Sequence, residues 1–268
     1  MLTRRLHVVG CHRSGTTLMM ELLWYAFEFS GRAAHEVSLF EPIPPGQSLY
    51  LSKKPPDTTR IEQAFRSDPE LFVIAMLRDP RAVICSRHPN RPDVYFSGFR
   101  RWRECALAIE RLRGHPRFLL VRYEDLVTAP DQVQDAIAAR FAFLRAKARF
   151  AQFPEGAEVP ENARASLLGV RPFDVSRIDG WRGHLPRVKG QLQAHPDLPG
   201  HLVRLGYEAD DAWVSDLDRI RAYTQKYKDE APHPLKRAEA ELRYWLKTRR
   251  YLRQRSGTAS AASETGSS

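Results

Sequence analysis

This 268-residue sequence predicts an α/β fold: a three-layer sandwich with a central, mostly parallel sheet and helices on both faces. Three observations carry that prediction. The runs LHVV (6–9), LFVIAML (71–77) and FLLV (118–121) are almost continuously apolar and too short for helices, the pattern of strands buried on both faces. Helical patterns lie between them, and such alternation builds a parallel sheet through right-handed crossovers. The chain is also long enough to bury one full core.

Taken in order, strand 6–9 runs into a glycine-bounded turn and a helical pattern over 15–28. SLYLS (48–52) is a fourth strand candidate, and further helical patterns cover about 58–67, 80–87, 97–113 and 130–140. Binding loops in such a sheet lie at the C-terminal strand ends. From about 154 the pattern loosens. FPEGAEVPEN reads as a surface loop, GVRPFDVSRIDGWRGHLPRVKGQL mixes basic residues with turn formers, and LVRLGYEADDAWVSDLDRI reads as a short helix, a glycine-terminated turn and another helix. LKRAEAELRYWLKTRRYLRQR (235–255) reads as a basic helix with Leu235, Leu242, Trp245, Leu246 and Leu252 as its apolar stripe. SGTASAASETGSS is low-complexity and expected to be disordered. The expected organisation is therefore an α/β domain over 1–232, a basic C-terminal helix over 233–255 and a tail over 256–268. No internal repeat is visible.

Hydrophobic residues make up 43% and charged residues 28%, ordinary for a globular protein, but the formal net charge is +10. That excess points to polyanionic partners without choosing among nucleotides, nucleic acid, acidic glycans and anionic lipid. Three scattered cysteines, Cys11, Cys85 and Cys105, form no CxxC pair and argue for a reducing compartment. Cys11 reads as a packing residue. The start MLTRRLHVVG leaves no room for a signal peptide, and no apolar run approaches the roughly 20 residues of a membrane span. The expected location is the cytoplasm, with contact to the inner membrane face left open.

The stretch VVGCHRSGTTLMMELL (8–23) nearly matches a nucleotide-binding P-loop. Gly10 and Gly15 are separated by four residues, yet Thr16 stands where a nucleoside triphosphatase carries lysine, and Arg13 is the cation inside the loop. A strand, a glycine-bounded loop and a helix start present backbone N–H groups and a positive helix end to an anion. Ser14, Thr16 and Thr17 add hydroxyls. A second anion motif, LRDPRAVICSR (77–87), follows the long buried strand, with Arg78 at the strand end, Asp79-Pro80 starting a helix, and Ser86 eight residues after Arg78. Asp79 lies between Arg78 and Arg81, placed to orient an arginine rather than to hold a metal.

Together these two motifs resemble those of sulfotransferases that use 3′-phosphoadenosine 5′-phosphosulfate (PAPS). The resemblance implies a P-loop-like fold, with Arg13, Ser14, Gly15, Thr16 and Thr17 on the 5′-phosphosulfate and Arg78 and Ser86 on the 3′-phosphate. RYEDL (122–126) is similar to a segment of bacterial members, read as structural with Glu124 or Asp125 capping the turn. SRIDGWRGHL (176–185) resembles the loop that closes over the donor. There Arg177, with Arg171 as second choice, and Trp181 are the implied contacts. LVRLGYE (202–208) resembles the end of the fold, so the similarity spans roughly 6–210. His12 departs from the family, where many members have Pro or a small residue. PAPS would be the donor and 3′-phosphoadenosine 5′-phosphate (PAP) the product, with no metal required, since no β/γ-phosphate needs the missing lysine.

An acceptor hydroxyl needs a general base within hydrogen-bond reach. GRAAHEVSLFEP (31–42) offers Glu36, His35 and Glu41, ranked in that order, and Lys53 or Lys54 of SKKPP is the candidate facing the sulfate, in undecided register. The acceptor suggested by the basic surface is an acidic glycan or glycolipid. The C-terminal helix could meet anionic lipid, draw in an acidic glycan or simply present a solvated face. No nucleic acid partner is expected. The competing classes are a nucleotide kinase or nucleoside triphosphatase, disfavoured by Thr16 and the missing metal carboxylate, and a basic lipid- or nucleic-acid-binding protein, which leaves two successive anion motifs unexplained.

Overall fold

The computed structural model describes residues 3–88, 91–156, 173–225 and 234–264. Strands β1 (Arg4–Gly10), β2 (Gly31–Arg32), β3 (Leu49–Lys53) and β4 (Leu71–Leu77) form a sheet with the strand Phe118–Arg122, and every pairing is parallel. Numbering the antiparallel ribbon Arg87–His88 and Arg91–Tyr95 as β5 and β6 makes that last strand β7, and the sheet order is β2-β3-β1-β4-β7. The members of the ribbon are short and polar and carry no strand signal in the sequence.

The helices in chain order are α1 (Thr16–Ala26), α2 (Ile61–Phe65), α3 (Pro80–Ile84), α4 (Phe99–Arg111), α5 (Tyr123–Thr128), α6 (Pro130–Arg140), α7 (Phe153–Gly156), α8 (Leu185–Ala194), α9 (Leu198–Arg204) and α10 (Pro234–Glu264). Strand alternation divides the core. Leu6, Val8, Ile74 and Met76 pack one sheet face against α1, α5 and α6. Val9, Val73, Ala75 and Leu77 point the other way, toward α2, α3, α4, α8, α9 and α10. The expected three layers are thus present.

Several boundaries differ from expectation. Pro55 and Pro56 supply no backbone donor, so the 58–67 pattern opens as a 3₁₀ turn over Pro55–Arg60 before α2. The 80–87 helix stops at Ile84, which leaves Ser86 beyond α3 rather than on it; its carbonyl accepts from Phe96 N–H at 2.9 Å. The second helix expected in 202–220 is a 3₁₀ segment, Ala212–Leu217. Helix α10 runs to Glu264, beyond residue 255.

The apolar stripe of α10 divides, with Leu252 packed on the core. Leu235, Leu242, Trp245 and Leu246 are exposed, and the helix docks through Tyr244, Thr248 and Tyr251. Tyr251 donates to Asp68 and meets Phe40 edge-on at 5.6 Å. No helix of the described residues is long and apolar enough to cross a membrane.

Candidate anion and transfer site

The β1–α1 loop lies at the middle strand of the sheet: α1 carries the chain from β1 to β2 and β3 on one side, and from β3 it crosses past β1 to β4 on the other. Such a switch point leaves a crevice at the strand ends. Glycine is obligatory at both loop ends. A Cβ on Gly10 would lie 2.5 Å from the Met76 carbonyl, and one on Gly15 would lie 2.7 Å from the Tyr123 ring. Both have positive φ, 143° and 93°. Thr58 closes the loop base: its hydroxyl accepts from Gly10 N–H at 2.9 Å and lies 2.6 Å from the Pro55 carbonyl.

Arg13 is the one non-glycine residue with positive φ among the described residues, at 71°, a conformation costing about 1–2 kcal/mol. Helix α1 opens with no side-chain cap and no acidic residue in its first turn, so its leading N–H groups point into the crevice with nothing anionic on them.

The two motifs meet through their arginines. Arg13 Nε donates to Ser86 Oγ at 2.7 Å, while Arg78 Nη1 donates to the Arg13 carbonyl at 3.0 Å. Arg78 Nη2 donates to the Arg177 carbonyl at 2.8 Å, its guanidinium carbon lies 4.0 Å from the centre of the Tyr123 ring, and its Nε is buried without a partner. Among the described residues no carboxylate lies within ion-pair distance of Arg13 or Arg78. Burial, and then the Arg78 charge, hold the Arg13 guanidinium below its ordinary pKa.

Asp79 plays the orienting part expected of it. Its carboxylate caps α3 by accepting from Arg81 N–H at 2.7 Å and pairs with Arg81 Nη2 at 2.7 Å. Arg81 lies 4.1 Å from the Trp181 ring centre. Glu124 accepts from Asp79 N–H at 2.9 Å, and burial pushes its carboxyl pKa up.

On the opposite lip, Lys53 Nζ donates to Thr17 Oγ1 at 3.0 Å and to Glu36 Oε1 at 2.9 Å. Lys54 turns the other way, its ammonium 5.5 Å from the Tyr244 ring centre. Of the two lysines, Lys53 is the one that reaches the loop. Of the three base candidates, Glu36 alone joins this chain. His35 is exposed, and Glu41 pairs with Lys247 on α10. Arg177 pairs with Asp174 at 3.1 Å and approaches the site through its carbonyl. Trp181 is buried under Arg81 rather than open to the crevice. Arg171 lies outside the described residues.

Some participants gave little sequence signal. Tyr123 separates Gly15 from Arg78, and Thr58 holds the loop from a different segment; both look ordinary until the chain folds. Arg5 is fully buried and pins the 38–41 segment by donating to the carbonyls of Leu39 and, at 2.7 Å, Glu41. His12 meets Phe96 at 5.3 Å between ring centres, and Phe96 stacks on His88 at 5.2 Å. Burial pushes the His12 imidazole from 6.5 down to about 4; Glu36 opposes this, while Arg101, Lys53 and Arg13 reinforce it. Contact with Cys105, together with burial, pushes the Cys11 thiol well up, so Cys11 is a packing residue and not a thiolate.

No family model matches the chain. Nodulation protein NoeE of Sinorhizobium fredii (strain NBRC 101917 / NGR234) is 35% identical over 136 residues, which is 46% of this chain and 30% of that protein. The chain thus spans less than a third of this relative's length. Among solved structures, the sulfotransferase domain from the Synechococcus PCC 7002 olefin synthase aligns with TM-score 0.46 and 17% identity, covering 67% of this chain and 88% of that one. Mouse sulfotransferase SULT7A1 complexed with PAP gives 0.44 and 13%, covering 75% and 84%.

Proposed function

We propose that the chain is a PAPS-dependent sulfotransferase that moves a sulfuryl group to an acceptor hydroxyl, that of a glycan or glycolipid, and releases PAP. The observation that carries this reading is the pair of half-buried guanidinium groups, Arg13 and Arg78. They meet at an uncapped helix start and a glycine loop, with no carboxylate of the described residues to neutralise either. A site so built favours a polyanionic ligand with phosphates at two ends.

The roles follow from the residues. Arg13, the amides of Gly15 and Thr16, and the Thr16 and Thr17 hydroxyls would hold the 5′-phosphosulfate end, while Ser14, whose N–H and hydroxyl donate to the Cys11 carbonyl at 3.1 and 2.6 Å, would shape the loop. Arg78 and Ser86 would hold the 3′-phosphate, with Arg177 beside them. Trp181 acts at one remove, by anchoring the 174–184 segment against Arg81. PAPS supplies the sulfuryl group: the acceptor oxygen forms the new O–S bond as the bond from sulfur to the bridging phosphate oxygen breaks. Lys53 would offset charge growing on that oxygen, and Glu36 would take the acceptor proton. Transfer of this kind asks for positioning and charge stabilisation more than for covalent assistance from the protein. Three free, buried cysteines support a reducing, cytoplasmic setting.

Calorimetric titration with adenosine 3′,5′-bisphosphate, ADP and ATP, each with and without Mg²⁺, tests the reading. Metal-independent binding that requires the 3′-phosphate is the expected result. Preference for ATP with Mg²⁺ would replace it with the kinase reading.

A further inference from the structure

Helix α10 has two unlike faces. Inward, Tyr244, Thr248 and Tyr251 pack on the domain, flanked by the ion pairs Lys247–Glu41 and Glu241–Arg60, the latter at 2.6 Å. Outward, Leu235, Leu242, Trp245 and Leu246 stand 73%, 57%, 48% and 55% exposed. At helical spacing they fall on one stripe with Arg249 and Arg253. These four are the majority of the seven large hydrophobic residues exposed among the described residues, so they form a patch rather than scattered exceptions. Arg249 lies over the Trp245 ring at 4.5 Å, and a shallow groove of about 280 Å³ runs along Trp245, Leu246, Arg249, Arg250 and Arg253. None of these three arginines pairs with a carboxylate among the described residues.

We infer that this outward face docks on an anionic lipid bilayer, with Leu235, Leu242, Trp245 and Leu246 in the headgroup–acyl boundary and Arg249, Arg250 and Arg253 on lipid phosphates. An interfacial helix combines these two features: an apolar stripe with an aromatic residue, and long cations that reach back to the headgroups. A second copy of this chain fits less well, because antiparallel pairing of the stripe would bring six arginines together. Nucleic acid would satisfy the arginines and leave the leucines in water. The inward contacts of α10 bind it to Glu41 and Lys54, each close in sequence to a residue of the transfer site, so docking would hold that side of the domain at the membrane. The docking does not depend on the sulfuryl-transfer reading.

The test is flotation of the full chain with vesicles of phosphatidylcholine alone and of equal parts phosphatidylcholine and phosphatidylglycerol. Binding to the anionic vesicles alone is expected, weakening with salt, with a blue shift of tryptophan emission that Trp245→Phe removes. Arg249→Gln, Arg250→Gln and Arg253→Gln together should weaken partitioning on the order of 100-fold. Leu242→Ser with Leu246→Ser should weaken it about tenfold or more. All these side chains are exposed, so unchanged circular dichroism and unchanged binding of adenosine 3′,5′-bisphosphate would show that fold and donor site are intact. Equal binding to both vesicle types, or variants that float like the parent, would overturn the inference. So would a dimer by light scattering that the serine variants dissociate, or RNA binding that depends on the arginines in a chain that does not float.

Discussion

Arg78 offers the sharpest perturbation. Its Nη atoms are already engaged by the Arg13 and Arg177 carbonyls, and its Nε is buried without a partner, so the group is held in place before any ligand arrives. Little ordering cost then remains to be met on binding. Arg78→Ala removes one charge-assisted contact, about 1.5–3 kcal/mol, and a positive charge from a poorly solvated site. A loss of about 3 kcal/mol is roughly a 150-fold rise in Kd for adenosine 3′,5′-bisphosphate. Arg78→Lys keeps the charge but not the fork, and should fall in between. The assay is calorimetry with the bisphosphate and with ADP across all three proteins. If Arg78 reads the 3′-phosphate, the substitution costs affinity for the bisphosphate and little for ADP. Equal losses for both ligands would mean that Arg78 shapes the loop rather than binding phosphate. Affinity for the bisphosphate within about threefold of the parent would refute the assignment altogether.

Three further outcomes are expected. Glu36→Gln should retain donor affinity and lose turnover by about 10²–10⁴ in single-turnover sulfuryl transfer; near-normal turnover would remove Glu36 as the base. Lys53→Met should reduce turnover by about 10²–10³ while Lys54→Met stays within a few-fold of the parent, so a reversed ranking in the same assay would contradict the observed register. His12 is depressed in the fold from 6.5 to about 4, so its contribution to stability is complete above pH 6.5 and declines as pH falls toward 4. The decline is worth at most about 3 kcal/mol. Urea unfolding at several pH values should show a shallower dependence in His12→Gln, and an unchanged slope would deny the imidazole that role.

Much of the scaffold was legible because it rests on local pattern. Buried parallel strands must be apolar on both faces, and LFVIAML (71–77) and FLLV (118–121) read that way without any partner being known. The loop was legible because Gly10 and Gly15 are required by backbone geometry, and Asp79-Pro80 because a capped, proline-led helix start is written in consecutive residues. What stayed hidden depends on contacts between distant segments. Ser86 was assigned to a helix because nothing in 80–87 announces that residues 87–88 pair with a ribbon. Which face of α10 meets the domain stayed hidden for a related reason. Helical spacing groups Leu235, Leu242, Trp245 and Leu246 on one face, but only the domain surface, with Phe40, Asp68 and Glu41 waiting for Tyr251 and Lys247, decides which face turns inward.

The sequence by itself determined the long buried strands and the main helices between them, the two anion motifs and the cations they carry. These follow from residue periodicity and from what glycine and proline permit in the backbone. Only the tertiary structure decided that Lys53 rather than Lys54 reaches Thr17, that Glu36 rather than His35 or Glu41 stands beside it, and that Arg13 and Arg78 share one site across Tyr123. Adjacent residues of a strand point to opposite faces, and loops take their direction from the residues that pin them. The choice among neighbours in sequence is therefore made by what lies across the sheet.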